Sequence, residues 1–173
     1  MGIKIFLDPG HGGRDPGSVH RNGVLLLEKE INIEICWHCC DALRGHGFEV
    51  TMSRIDDSTM SLPDRVTFAN TVEMDAFLSV HCNSASRPDA EGIETHIWRH
   101  TTISEPFGRA VHEALRARFP DHLDRGLKRS GFYVLRHTEM IAALVECEFL
   151  SNPCQARFLC EHADAIGEAI ARG

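Results

Sequence analysis

The chain has 173 residues, is 43% hydrophobic and 25% charged, and carries a formal net charge of -7. That length is enough for one domain with an extended core. The negative balance argues against a nucleic-acid binder working through a basic surface. No run of about 18 apolar residues offers a membrane span.

In chain order, residues 3–8 form an apolar run that predicts a first strand, ending in Asp8-Pro9-Gly10-His11-Gly12-Gly13. A strand followed by a Gly-rich turn does not fit the basic and apolar regions of a secretory leader, so no export signal is expected here. Residues 28–44 place Ile31, Ile35, Cys39 and Ala42 on one helical stripe. A second strand is predicted at 48–54. Ser61-Leu62-Pro63-Asp64 then reads as a capping-box start, continued by Val66 and Ala69. Strands follow at 76–82 and 92–98, a helix at 104–119, a short strand near 131–136 and a strand at 142–149. Asn152-Pro153 opens the last helix, with Leu159, Ala163, Ile166 and Ile170 inward. The runs at 76–80 and 142–145 are continuously apolar, as strands buried on both faces should be. The alternation predicts an α/β domain over 1–173: a mostly parallel sheet with helices on both faces.

Seven cysteines without paired metal-finger spacing read as small buried hydrophobes in a chain made under reducing conditions. None has an evident base partner, which argues against a thiol nucleophile.

Ligands of such folds gather beyond the strand ends. His11 ends the first strand, His81 ends the third, Glu28 opens the first helix, and Glu146 and Glu148 end the last strand. Two imidazoles and one carboxylate are a catalytic zinc set with a fourth position left for water. A further carboxylate, Glu146, can take the proton of that water and pass it to a leaving nitrogen. Each residue also has a plain structural reading: loop histidines are commonly solvated, and Glu28 would favour a helix N-terminus. Glu146 is the hardest to explain that way, because an acid in an apolar run needs a partner or a metal.

At these residues the sequence resembles the zinc-dependent N-acetylmuramoyl-L-alanine amidases of the amidase-3 family. "IFLDPGHGGRDPG" resembles the first metal motif, "LLEKEIN" the second, "RVTFANTVEMDAFLSVHCNS" the segment delivering the third ligand, and "ALVECEFLSN" the final motif. The resemblance implies one zinc ion on His11, Glu28 and His81, with Glu146 as general base. It implies hydrolysis of the amide between the lactyl group of N-acetylmuramic acid and L-alanine. The implied partner is peptidoglycan, with no nucleic acid or membrane, in a monomer acting at the cell wall or periplasm as an autolysin or phage-type lysin. Without a visible leader, the chain is expected to stay cytoplasmic until release, unless a leader has been removed.

Two positions depart from the family. Glu148 stands where glycine is usual, and it could crowd the site, couple its titration to Glu146, or turn out to solvent; the last is expected. Ile141 stands where proline is common. Some relatives plug the zinc site with an inserted helix, which the connections 84–91 and 99–104 are too short to hold, so an open site is expected. Asn83 could orient a ligand, touch substrate or form a turn. Asp8 could cap its own loop or orient a ligand from behind. Arg54 and Arg65 are expected to be structural. Arg136 and His137 are candidates for substrate contact. A zinc peptidase or deacetylase acting on another amide, and a wall-binding module without catalysis, are the competing functions.

Overall fold

The computed structural model describes residues 2–173. Its elements are β1 (Lys4–Pro9), β2 (Val19–Asn22), β3 (Val24–Leu27), α1 (Glu28–Gly45), β4 (Glu49–Met52), α2 (Leu62–Thr71), β5 (Ala76–Asn83), β6 (Ile93–Trp98), α3 (Glu105–Arg118), β7 (Asp124–Ser130), α4 (Tyr133–His137), β8 (Ile141–Phe149), α5 (Pro153–Glu161) and α6 (Ala163–Arg172). Six strands share one sheet in the order β4-β1-β5-β8-β6-β7. The first four are mutually parallel, and β6 and β7 run parallel to each other but against β8. This is the mainly parallel, mixed, six-stranded twisted sheet, flanked by helices on both faces, that the amidase-3 resemblance implies; the alternation of elements by itself gave no sign of the antiparallel step at β6.

Successive side chains of a strand face opposite ways, so the apolar runs feed two cores at once. Ile5, Leu7, Leu78, Val80, Ala143 and Val145 join α1, α3, α5 and α6 on one face. Phe6, Phe77, Ala142 and Leu144 meet Val66 and Ala69 of α2 and Val134 and Leu135 of α4 on the other. The caps are formed as predicted: Ser61 Oγ accepts from Asp64 N at 3.2 Å and Asn152 Oδ1 from Cys154 N at 3.0 Å.

Four expectations need correction. The short strand near 131–136 is instead helix α4, and the strand lies just before it at 124–130. Val134 and Leu135 both enter the same core cluster, which adjacent positions of a helix allow and a strand, whose neighbours face opposite sides, does not. The strand itself, Asp-Arg-Gly-Leu-Lys-Arg-Ser, is a polar sheet edge with little apolar signal. The last helix is two, broken at His162, although its predicted inner face is buried throughout. Residues 19–27, for which no element was predicted, pair as a β2–β3 hairpin around Asn22-Gly23, where Gly23 has φ of 78°. Of the cysteines, Cys36, Cys39, Cys40, Cys82 and Cys147 are buried and free as expected, but Cys154 and Cys160 are exposed.

No helix among the described residues is long and apolar enough to cross a membrane. None occupies the connections 84–91 or 99–104.

Candidate metal centre

β1, β5 and β8 are neighbours, so their ends and the start of α1 converge on one point. His11, Glu28 and His81 each bring one ligand atom to within 4.8 Å of the others. Glu28 Oε1 lies 3.1 Å from His11 Nε2 and 3.0 Å from His81 Nδ1. The rings stand 4.9 Å apart at 81°. Glu28 is buried at 4% exposure and fixed by Ser18 N, Cys82 N and Asn32 Nδ2.

His11 reaches this point through left-handed backbone (φ 62°), a conformation uncommon outside glycine. Two buried guanidiniums hold the loop in place. Arg54 donates to the carbonyls of Pro9 (3.1 Å), Gly10 (2.9 Å) and Lys29 (2.8 Å). Arg65 donates to the carbonyls of Pro9 (2.8 Å) and His11 (2.5 Å), and to Asp8 Oδ1 at 2.5 Å. Asp8 also accepts from Ser53 and Ser79, at 2.6 and 2.8 Å. It therefore neither caps its own loop nor touches a ligand; it anchors Arg65. The structural expectation for both arginines holds.

Asp15 was missed. Its Oδ2 lies 2.8 Å from His11 Nδ1, a contact that orients the ring and leaves Nε2 toward Glu28. The available signal was an acid four residues after the histidine, in the same motif.

Two glycines leave the space for the imidazoles. A Cβ on Gly10 would overlap the His81 ring. One on Gly17 (φ 66°) would sit 2.6 Å from Glu28 Oε2 and 2.7 Å from His11 Cδ2. Gly10→Ala is therefore expected to cut divalent-metal affinity about 10–100-fold, as displaced ligand support does. Chelator competition with the folded protein checks this; an unchanged affinity would show that His81 has other room.

Charge follows geometry. For His11, burial works against protonation, but Glu28 and Asp15 outweigh it and push the pKa up to about 9. His81 is raised too, burial opposing and Glu28 prevailing. Burial pushes the Glu28 carboxyl up, yet the two imidazoles hold it well below the usual carboxylate range. Glu146, opposite His81 in the β5–β8 ladder, behaves differently. Burial raises it to about 7, against the pull of His81 and with help from Glu28 and Glu94. Its Oε2 is buried without a hydrogen-bond partner among the described residues.

His11, His81 and Glu146 face a cavity of about 510 Å³, whose apolar side is Met60, Leu62, Phe132, Tyr133, Val134 and Leu144. Phe132 and Tyr133 carry no sequence signal of this placement, because a strand over 131–136 does not turn them toward the cavity as the start of α4 does. Arg136 and His137 are not brought to this cavity: Arg136 lines clefts beside Trp98, and the His137 ring packs at 4.3 Å from Tyr133. Asn83 Nδ2 donates to Glu94 Oε1 at 2.9 Å.

Glu148 does not turn out to solvent. It is fully buried, accepting from Gly92 N (2.8 Å) and lying 2.8 Å from His122 Nδ1. The physical reason is a register shift. His81 pairs with Glu146 but Asn83 with Phe149, so β8 takes three steps against two on β5. The extra residue breaks the alternation that would have put both acids on one side.

The donor set fits a divalent metal. Two nitrogens and a carboxylate oxygen converge at one point, and the negative carboxylate raises the affinity of both rings for a positive charge, which a bound cation would supply in place of protons.

Comparison with known proteins agrees. Residues 5–173 match the amidase-3 family, described as N-acetylmuramoyl-L-alanine amidase. N-acetylmuramoyl-L-alanine amidase LytC of Bacillus subtilis (strain 168) is 34% identical over 178 residues, covering 100% of this chain and 35% of LytC. The chain thus spans about a third of that relative's length. The crystal structure of N-acetylmuramoyl-L-alanine amidase from Clostridium difficile 630 superposes with a TM-score of 0.93 at 31% identity, covering 98% of this chain and 93% of that one. AmiC2 of Nostoc punctiforme, also an N-acetylmuramoyl-L-alanine amidase, gives 0.91 at 31% identity with the same coverage. With a family match over nearly its whole length and a shared architecture, this chain belongs to the amidase-3 family of N-acetylmuramoyl-L-alanine amidases.

Proposed function

We propose that this chain hydrolyses the amide between the lactyl carboxyl of N-acetylmuramic acid and L-alanine of the peptidoglycan stem, at the cell wall, with one zinc ion on His11, Glu28 and His81. The observation that carries the reading is the three-donor cluster beside Glu146, a residue that lines the same cavity and whose buried Oε2 has no hydrogen-bond partner among the described residues.

Zinc in such a site supplies Lewis acidity, lowering the pKa of a coordinated water to about 7 and polarising a carbonyl. The remaining work belongs to the side chains. Asp15 holds the His11 ring so that Nε2 faces inward. Arg65 and Arg54 fix the loop carbonyls and with them the position of that ring. Glu146, titrating near neutrality, takes a proton from the attacking water and returns it to the amide nitrogen. The C–N bond breaks, a C–O bond forms, and the second proton of the water also ends on the amine, so the products are the lactyl carboxylate and an L-alanine ammonium group. Met60, Leu62, Phe132 and Tyr133 exclude bulk water from one side of the scissile bond.

Product analysis of purified peptidoglycan digested by the zinc-loaded protein tests this. Free stem peptides with an L-alanine N-terminus are expected. Fragments cut within the stem, or deacetylated glycan, would assign the same centre to a different amide. Binding of sacculi without products would make the chain a wall-binding module.

A further inference from the structure

Glu94 is the second residue of β6 and, because β6 runs against β8, pairs directly with Glu146, so the two carboxylates lie on one sheet face. Glu94 is buried at 6% exposure, and four donors surround it. Oε1 accepts from Asn83 Nδ2 at 2.9 Å and lies 3.1 Å from His96 Nε2; Oε2 accepts from Arg125 Nε at 2.5 Å and from Lys128 Nζ. That fills a carboxylate's four acceptor sites. It does not use up the cations. Arg125 spends Nε here and Nη1 on the Glu91 carbonyl at 3.4 Å, and Nη2 has no hydrogen-bond partner among the described residues. Lys128 uses one of its three protons. Both side chains are about a third exposed, at 34% and 37%. One carboxylate thus fixes two cations, leaving a positively charged ledge on a protein of net charge -7.

The ledge adjoins the site. β7 is two strands from β8, about 10 Å at ordinary strand spacing. That is the reach of two or three extended residues. Arg125 is further steadied by its guanidinium lying 4.9 Å from the Phe149 ring centre. Nothing in the hydrolytic mechanism uses these groups.

We propose that Arg125 and Lys128, preset by Glu94, form a carboxylate-binding subsite that reads the stem residue following L-alanine. The subsite selects stems with a free carboxylate there over stems carrying a carboxamide. This rests on the amidase reading above. An incoming carboxylate meets the open Arg125 Nη2 and the Lys128 ammonium and accepts from both; a carboxamide offers one neutral acceptor and two donors that face donors.

The test uses paired muramyl-peptide substrates identical except for carboxylate or carboxamide on the residue after L-alanine. The wild-type protein is expected to favour the carboxylate form about tenfold in kcat/KM, chiefly through KM, as one charge-assisted hydrogen bond allows. Lys128→Gln and Arg125→Gln should each bring the ratio toward one by raising KM for the carboxylate form, while Lys128→Arg keeps it. Raising salt should erode the wild-type preference in the same way, which needs no variant to fold. Equal wild-type rates on both substrates, or a preference that survives the Arg125→Gln/Lys128→Gln double variant, overturn the subsite. Cleavage of neither substrate would instead strike down the amidase reading.

Discussion

Glu146→Gln should lower kcat on peptidoglycan by about 10³-fold while leaving zinc affinity nearly intact, because it removes the proton carrier without touching a ligand. Steady-state kinetics and chelator competition on the same preparation separate the two effects. A variant within a few-fold of wild type would mean that no side chain at this position moves the proton. The substitution should act on stability in the opposite sense. Burial raises the Glu146 carboxyl from 4.5 to about 7, so its charged form is disfavoured in the fold. A folded value above the unfolded one gives stability that is complete below about pH 4 and is lost as pH rises through 7. In chelator-treated protein at pH 8, Glu146→Gln should therefore be more stable than wild type by about 2–3 kcal/mol. The difference should vanish near pH 4. Denaturant titrations at the two pH values check it, and the absence of any alkaline gain would show that the carboxylate is better solvated than its position implies.

Arg65→Met should cost about 3–5 kcal/mol of folding stability, the usual loss when one member of a buried ion pair is removed. Arg65 and Asp8 are exposed by only 2% and 1%, and the variant strips Asp8, Pro9 and His11 of a donor together. For a chain of this size, that loss corresponds to a fall in Tm of about 10 °C. The pairing also has a pH signature. Burial pushes the Asp8 carboxyl up, but Arg65 and the serines hold it below its ordinary value, so this contribution is present at neutral pH and lost as pH falls through the acid range. An Asp8→Leu/Arg65→Met double variant should regain much of the stability and little of the zinc affinity, since the carbonyls of Pro9 and His11 remain unserved. Urea unfolding measures the first and chelator competition the second. A single-variant loss below about 1 kcal/mol would show that water replaces the guanidinium.

The pattern of legibility follows from what each signal depends on. The strand at 76–83 and the last strand are long apolar runs buried on two faces, and such runs have no other reading in an alternating chain. His11, Glu28, His81 and Glu146 were legible because each sits at an element end, where parallel neighbours must bring them together. β7 was not, because an edge strand needs few apolar residues, and Phe132-Tyr133-Val134-Leu135 offers β-favouring side chains to a short helix. Glu148 defeated the reading for a different reason. Its direction is set by a step in register between two strands, and neither strand's own sequence announces it. Asp15, Glu94 and Lys128 act through partners 4 to 34 residues away, contacts that only the folded chain defines.

The reversal of β6 has one further consequence, for how such a chain can be elaborated. Because β6 starts where β5 ends, the connection 84–91 stands on the rim that holds the metal ligands, while 99–104 stands on the opposite rim. Two joints of similar length are therefore unequal as grafting points. New sequence spliced into the first can shade the chemistry and be recruited for control; the same sequence in the second can acquire a separate role and leave turnover alone. One antiparallel strand divides the molecule into a rim open to regulation and a rim free for attachment.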